Sequence, residues 1–269
     1  MGQVGYYCTD TCTPIFQELR EELQWDAAVM QAAVTAAATV PQSSSVIYAL
    51  ATHPGHHAAY DSFGGYCYLN HAAFCARALQ QQLPTMTTTT TTTPHHAPAT
   101  ILKKVAVLDI DYHCGNGTAS IFYHDPSVLV VSIHCHPDWE YPFHSGFEGD
   151  TGTGEGEGAT LHLPLLPGAK WKEYNVALER AMKAIRAFGA QALVVSLGLD
   201  TLHRDPCAIR RAGFGLTTES GDFHELGQQI GSYCPKIPII VIQEGGYKMD
   251  EVPQAATDVL LACVSSKTS

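Results

Sequence analysis

A chain of 269 residues, 45% of them hydrophobic, can bury a full core, and one α/β domain of this size is common. A formal net charge of −11 argues against direct nucleic-acid binding, which needs a basic face, and favours cationic partners through long-range steering. Nine cysteines without a C-x-x-C pair suit reduced thiols better than a disulfide framework, and no apolar run approaches membrane-spanning length.

The first 13 residues read as turns. No basic stretch followed by an apolar one opens the chain, and Tyr6 stands where a myristoylation signal needs Ser or Thr. A cytoplasmic location is therefore expected, with the nucleus left open. Pro14 opens a helix with Phe16, Leu19 and Leu23 at helical spacing, continuing Ala-rich to about Val40. Val46 to Ala51 is strand-like and ends at Thr52-His53-Pro54-Gly55-His56-His57; a second helix covers Leu69 to Gln82. The Thr tract within residues 85–100, followed by Pro and His, cannot build a packed face and is expected to be a disordered surface loop.

Val105 to Ile110 is an apolar run with a β-branched bias, long enough for a buried strand and too short for a helix. Thr118 to Tyr123 reads as a short helix, and Val128 to Ile133 as the next buried strand. The Gly-rich stretch Gly149 to Gly158 is not a phosphate loop, because the strand pattern Thr160 to Pro164 follows it where a helix would be required; a mobile loop is expected. Trp171, Tyr174, Leu178, Ala181, Met182, Ile185 and Phe188 form a helical stripe that Gly189 stops. Ala192 to Leu197 and Pro238 to Ile242 are buried strands, Thr217 to Tyr233 is loop then helix, and a helix from Pro253 to Val264 closes the chain. Strands alternating with helices, each strand a continuous apolar run, predict a three-layer α/β/α sandwich with a mainly parallel sheet, residues 1–269 forming one domain.

Four of these strands end in polar groups: His56-His57, Asp111 with His113, Asp200, and Glu244-Gly245-Gly246-Tyr247. Residues two apart on an extended segment point the same way, so Asp111 and His113 can converge. With Asp200 they give three ligands for a divalent metal and leave positions open for water and substrate. Such an ion lowers the pKa of water to about 7 and polarises a carbonyl. The oxygen-rich set leaves Fe²⁺, Co²⁺ and Mn²⁺ open beside Zn²⁺. His56 and His57 would serve as base and acid, Asp109 and Asn116 as their orienting partners, and Tyr247 as a donor to the oxyanion. Each element alone has a plainer reading: a solvated Asp turn, turn histidines, a helix N-cap at Asp200, buried structural hydrogen bonding at Asp109 and Asn116, rim packing at Tyr247.

Pro54-Gly-His-His57, Gly65-Tyr-Cys-Tyr-Leu-Asn70, Leu108 to Thr118 (LDIDYHCGNGT), Ser196 to Thr201 (SLGLDT) and Glu244-Gly-Gly-Tyr247 occur in the order found in the histone deacetylase superfamily. The chain resembles the acetylpolyamine amidohydrolase branch, and Asn116 is similar to that branch and to class II deacetylases. The resemblance implies the arginase/deacetylase fold and a Zn²⁺-dependent deacetylase acting on an acetylated polyamine or acetyl-lysine. It implies Asp111, His113 and Asp200 as zinc ligands, His56 and His57 as the tandem catalytic pair, and Tyr247 as the residue polarising the amide. It also implies Gly65 and Tyr66 along the acyl tunnel, with Phe143 as a second wall, and a structural K⁺ near Asp109, Asp111, His113, Ser132 and Ile133.

Two departures stand out. Cys114 occupies a position that is usually His in the family, and tuning and oxidation sensitivity are expected from it. The family also carries a long stretch before the region matching Tyr6 to Pro14, including a first strand and a rim loop. From this comes the alternative reading of a catalytically impaired, N-terminally shortened acyl-amine-binding relic. A homo-oligomer, with a partner chain replacing the rim, is compatible with the sequence. An arginase-like two-metal hydrolase would need further bridging carboxylates near His113, and Cys114-Gly115-Asn116 supplies none.

Overall fold

The computed structural model describes residues 2–39, 46–82, 103–208 and 213–267, and the Thr-rich segment expected to be a loop lies outside them. The expected strands form as β1 (Val46–Ala49), β2 (Val105–Asp109), β3 (Val128–Cys135), β4 (Thr160–Leu165), β5 (Ala192–Leu197) and β6 (Ile239–Gln243). They make one parallel sheet in the order β1-β6-β5-β2-β3-β4. Every residue of β2, β3 and β5 is buried, which is why these strands read as unbroken apolar runs: helices cover both faces.

The helices are α1 (Gly2–Tyr7), α2 (Leu19–Thr39), α3 (His71–Gln82), α4 (Asn116–Phe122), α5 (Trp171–Phe188), α6 (Asp222–Tyr233) and α7 (Val252–Lys267). Val105, Val107, Val128, Val130 and Val194 pack against Met30, Val34, Leu79 and Phe122 of α2, α3 and α4. The alternate residues Ala106, Leu108, Leu129, Val131 and Val195 pack against Leu178 and Met182 of α5, Phe223 of α6 and Val259 of α7. β2 leads through α4 to β3 in one direction, and β5 leads through α6 to β6 in the other. The change of face accompanies the change of direction, as right-handed crossovers require.

That reversal lies between the adjacent strands β2 and β5, and open α/β sheets bind ligands beyond the carboxyl ends of strands at such a point. Just before those ends the sheet turns polar. Ser196, Asp109, Ser132 and His162 are register partners across β5, β2, β3 and β4, so their side chains share the face covered by α2, α3 and α4.

Three expectations change. Residues Gly2–Tyr7 are a short helix rather than turns. α2 begins at Leu19, not Pro14, and buries Leu19 of the expected stripe with Met30, Ala33, Val34 and Ala37, while Phe16 lies before the helix and is exposed. The Gly-rich stretch is a hydrogen-bonded turn around a 3-10 segment, Gly154–Gly156, tied to Tyr123 by the Thr153 N–H at 2.9 Å.

Candidate active site

Beyond β2 and β5, Asp111, His113 and Asp200 bring one ligand atom each to within 4.8 Å of one another. Backbone donors fix them. Asp111 Oδ2 accepts the Gly245 N–H at 2.9 Å and Asp200 Oδ1 accepts the Tyr112 N–H at 2.9 Å. His113 Nδ1 lies 3.2 Å from Asp111 Oδ1 and 2.9 Å from Asp200 Oδ2. Gly245 lets the backbone come this close: a Cβ there would stand 2.8 Å from both carboxylates. Burial and the neighbouring Asp111 push the Asp200 carboxyl up to about 7. Burial opposes ionisation of Asp111 as well, but His56 and His113 hold it well below the ordinary carboxylate range. Two buried carboxylates crowded on one imidazole are a donor set that a divalent cation fits.

His56 and His57 follow β1 and their rings lie 3.9 Å apart, centroid to centroid. Their partners differ. His56 Nδ1–H donates to Asp109 Oδ2 at 3.0 Å, and His57 Nδ1–H donates to Asn116 Oδ1 at 2.7 Å, as their positions in the sequence imply. Burial disfavours charge on both. For His56 the carboxylates of Asp109, Asp111 and Glu244 outweigh it and push the imidazole up to about 10. For His57 the charges of His56 and His113 add to burial and hold it well below the usual histidine value. One imidazole is cationic and its neighbour neutral, an arrangement that separates acid from base.

Tyr247 lies beyond β6, and burial with the carboxylates of Asp200 and Asp111 keeps its phenol protonated well above neutral pH. It lines, with His56, His57 and Asp200, a cavity of about 400 Å³. Tyr66 is on the wall, held with Gly65 in left-handed backbone (φ 65° and 56°). Gly65 is obligatory: a Cβ there would meet His57 Cδ2 at 2.2 Å. The second wall is Tyr141, whose ring stands edge-on to His57 at 4.8 Å. Phe143 does not line the cavity. It sits two residues on, 59% exposed, where the chain has already turned outward.

The sequence marked Glu244 only as part of a strand-end motif, without a role, and did not pick out Asp205, Asp10 or Glu140. Glu244, buried beneath the pair, accepts the Gly55 and His56 N–H groups and the Ser196 hydroxyl, so it fixes the histidine loop to β5. Asp205 accepts the Tyr247 N–H at 2.7 Å and the Lys248 N–H at 3.1 Å. Asp10 accepts the Gly65, Cys12 and Thr13 N–H groups and shapes the rim. Glu140 brings a further carboxylate to the wall, 3.9 Å from His113 Nε2. Cys114 corrects the expected oxidation sensitivity. It is fully buried, and burial with Asp109 raises its thiol well above the ordinary value, which disfavours its oxidation from solvent.

Residues 3–263 match the histone deacetylase domain. The chain belongs to the histone deacetylase family. Within that family, the acetylpolyamine amidohydrolase of Mycoplana ramosa is 36% identical over 261 residues, covering 96% of this chain and 67% of that protein. Acetylpolyamine amidohydrolase 1 of Pseudomonas aeruginosa is 36% identical over 260 residues, covering 97% and 67%. The crystal structure of the acetylpolyamine aminohydrolase from Burkholderia pseudomallei superposes with a TM-score of 0.75 at 33% identity, covering 90% of this chain and 62% of that one. This deacetylase-family chain thus has the arginase/deacetylase α/β fold and spans between three fifths and two thirds of the length of these relatives.

Proposed function

We propose that this chain is a deacetylase hydrolysing the acetyl amide of a cationic amine, an acetylated polyamine or an acetyl-lysine side chain. Zn²⁺ is the ion proposed for Asp111, His113 and Asp200, with Fe²⁺ or Co²⁺ as substitutes. The observation that supports this reading most is the convergence of that ligand set, a neutral and a cationic imidazole, and a protonated tyrosine on one cavity.

Zn²⁺ in that position would supply water with a pKa near 7 and polarisation of the acetyl carbonyl. His57, neutral and with Nδ1–H committed to Asn116, offers Nε2 to take the proton of the attacking water. Tyr247 donates its O–H to the developing oxyanion, and His56, its charge anchored by Asp109, stabilises the same negative charge. The C–N bond then breaks as His57 delivers its proton to the leaving nitrogen, and acetate and the free amine depart. Tyr66 and Tyr141 would hold the alkyl chain, while Asp10 and Glu140 on the cavity wall suit a cationic tail. A K⁺ near Asp109, Asp111, His113, Ser132 and Ile133 completes the reading as a structural ion. The nine free cysteines suit a reducing, cytoplasmic setting.

Acetate release from acetylated diamines and from an acetyl-lysine peptide tests this. The zinc-loaded chain should turn over one class, and Asp200→Ala should lose both turnover and zinc. Stoichiometric zinc with neither substrate cleaved would leave acyl-amine binding without hydrolysis.

A further inference from the structure

A second buried group of metal-type donors lies beside the catalytic cluster and takes no part in the chemistry above. Cys114 directly follows His113, His134 lies on β3, and His162 lies on the neighbouring β4. All three are buried, and one ligand atom from each lies within 4.8 Å of the others. We propose that Cys114, His134 and His162 form a second metal site, which takes a borderline-soft divalent cation, Zn²⁺, through one thiolate and two imidazoles.

The geometry is close to what the ion needs. Cys114 Sγ is 3.8 Å from His162 Nδ1. A tetrahedral zinc with usual Zn–S and Zn–N bonds holds its sulfur and nitrogen ligands about 3.5 Å apart. His134 is anchored at both ring nitrogens, by the Ser132 hydroxyl at 2.8 Å and the Gly146 carbonyl at 2.9 Å. Whichever nitrogen turns to the ion, the other keeps an anchor, as ligating imidazoles usually do. Gly146 (φ 102°) closes over the group without a side chain: a Cβ there would stand 2.6 Å from His134 Nε2 and 2.8 Å from Cys114 Sγ. Entry is available from the surface. His162 lines a separate cavity of about 330 Å³ with Asn116, Ser145 and Asp150.

Coordination replaces the thiol proton of Cys114, which leaves to solvent, so one proton is released as the Zn–S bond forms. The ion would tie the end of β2 to β3 and β4. Because Cys114 is covalently next to His113, the same bond would brace a catalytic ligand from behind.

Co²⁺ separates this site from the first. Asp111, His113 and Asp200 contain no sulfur, so a thiolate-to-cobalt charge-transfer band in the near ultraviolet reports a cysteine ligand. The full chain, stripped and loaded with excess Co²⁺ then desalted, should hold two ions and show that band. Cys114→Ser, close in size to the native residue, should hold one ion and lose the band. His162→Asn, which keeps the thiol, should weaken retention of the second ion at least tenfold. One ion per chain without the band would overturn the proposal, as would a band that survives Cys114→Ser and so arises at another cysteine such as Cys67. Neither readout depends on turnover, so failure of this site is distinguishable from failure of the deacetylase reading.

Discussion

An imidazole can take a proton only while it is neutral, and the two adjacent imidazoles differ in the charges around them and, most directly, in the partner of Nδ1. His56 faces a carboxylate through Nδ1, and His57 faces the neutral amide of Asn116. The amide fixes the ring and its tautomer, and its pull toward the charged form is outweighed by burial and by the cationic neighbours that hold His57 down. Asn116→Asp puts an anion on the same nitrogen. An opposite charge in contact favours imidazolium by about 1–3 pKa units, so the pKa of His57 rises. Since the base must be neutral, the acid limb of the kcat/KM profile should move up by about one pH unit or more, toward neutrality. Profiles of both proteins measure this, and an acid limb that stays in place would remove His57 from the role of base.

At the scale of elements, the loop after β6 shows how one buried carboxylate sets the place of a catalytic group. Asp205 accepts N–H groups from Tyr247, Lys248 and Cys207, so it joins the segment beyond β5 to the segment beyond β6. Asp205→Ala leaves these donors without their acceptor, at about 1–3 kcal/mol for each that stays buried. A shift of about 1 Å in a positioned group costs on the order of a hundredfold in rate. The expected result is a fall in kcat of ten- to a hundredfold with zinc content unchanged, because Asp205 touches no proposed ligand; zinc lost in parallel with rate would mean a general loosening of the sheet edge. What the sequence made legible follows the same division. Val105–Ile110, Val128–Ile133 and Ala192–Leu197 are readable as strands because both faces are covered, and α5 because its stripe ends on Gly189, which takes the left-handed φ of 75°. The polar groups at strand ends are readable because each interrupts an apolar run. The roles of Asp205, Tyr141 and Glu244 are not, since they come from backbone groups and rings that are distant in sequence and meet only when the segments beyond β1, β3, β5 and β6 come together. Phe143 misleads for the opposite reason: it shares an aromatic segment with Tyr141 and points away.

For the whole molecule, three neighbouring strands, β6, β5 and β2, gather Glu244, Asp200, Asp109 and Asp111 at their carboxyl ends, all buried. Without a cation, that negative charge is balanced by protonated imidazoles. His56 is pushed up to about 10 and His113 is raised well above the usual histidine value, each by neighbouring carboxylates that outweigh burial. A group whose folded pKa exceeds its unfolded value of about 6.5 adds stability that is complete below that value and is lost as pH rises toward the folded pKa. Below pH 6.5 the balance is mixed. There burial holds His134 and His162 down to about 3 and about 4, so they oppose the raised carboxyls of Asp200 and Glu244. Above pH 7 the raised imidazoles come first, and above about pH 8 the thiols that burial raises, Cys75, Cys234 and Cys263 among them, add a loss of the same sign. The metal-stripped chain should therefore lose stability between pH 7 and pH 9, on the order of 2 kcal/mol by linkage, or a few degrees in Tm. A divalent cation among Asp111, His113 and Asp200 takes the place of the proton on His113, while His56 keeps its charge beside Asp109, so the zinc-loaded chain should lose clearly less Tm over that range than the stripped one. Thermal melts of the stripped and loaded chain at pH 7 and pH 9 give the comparison directly. A decline as steep with zinc bound as without it would mean that the ion does not sit beside His56 and His113, and the proposed ligand set would have to be abandoned.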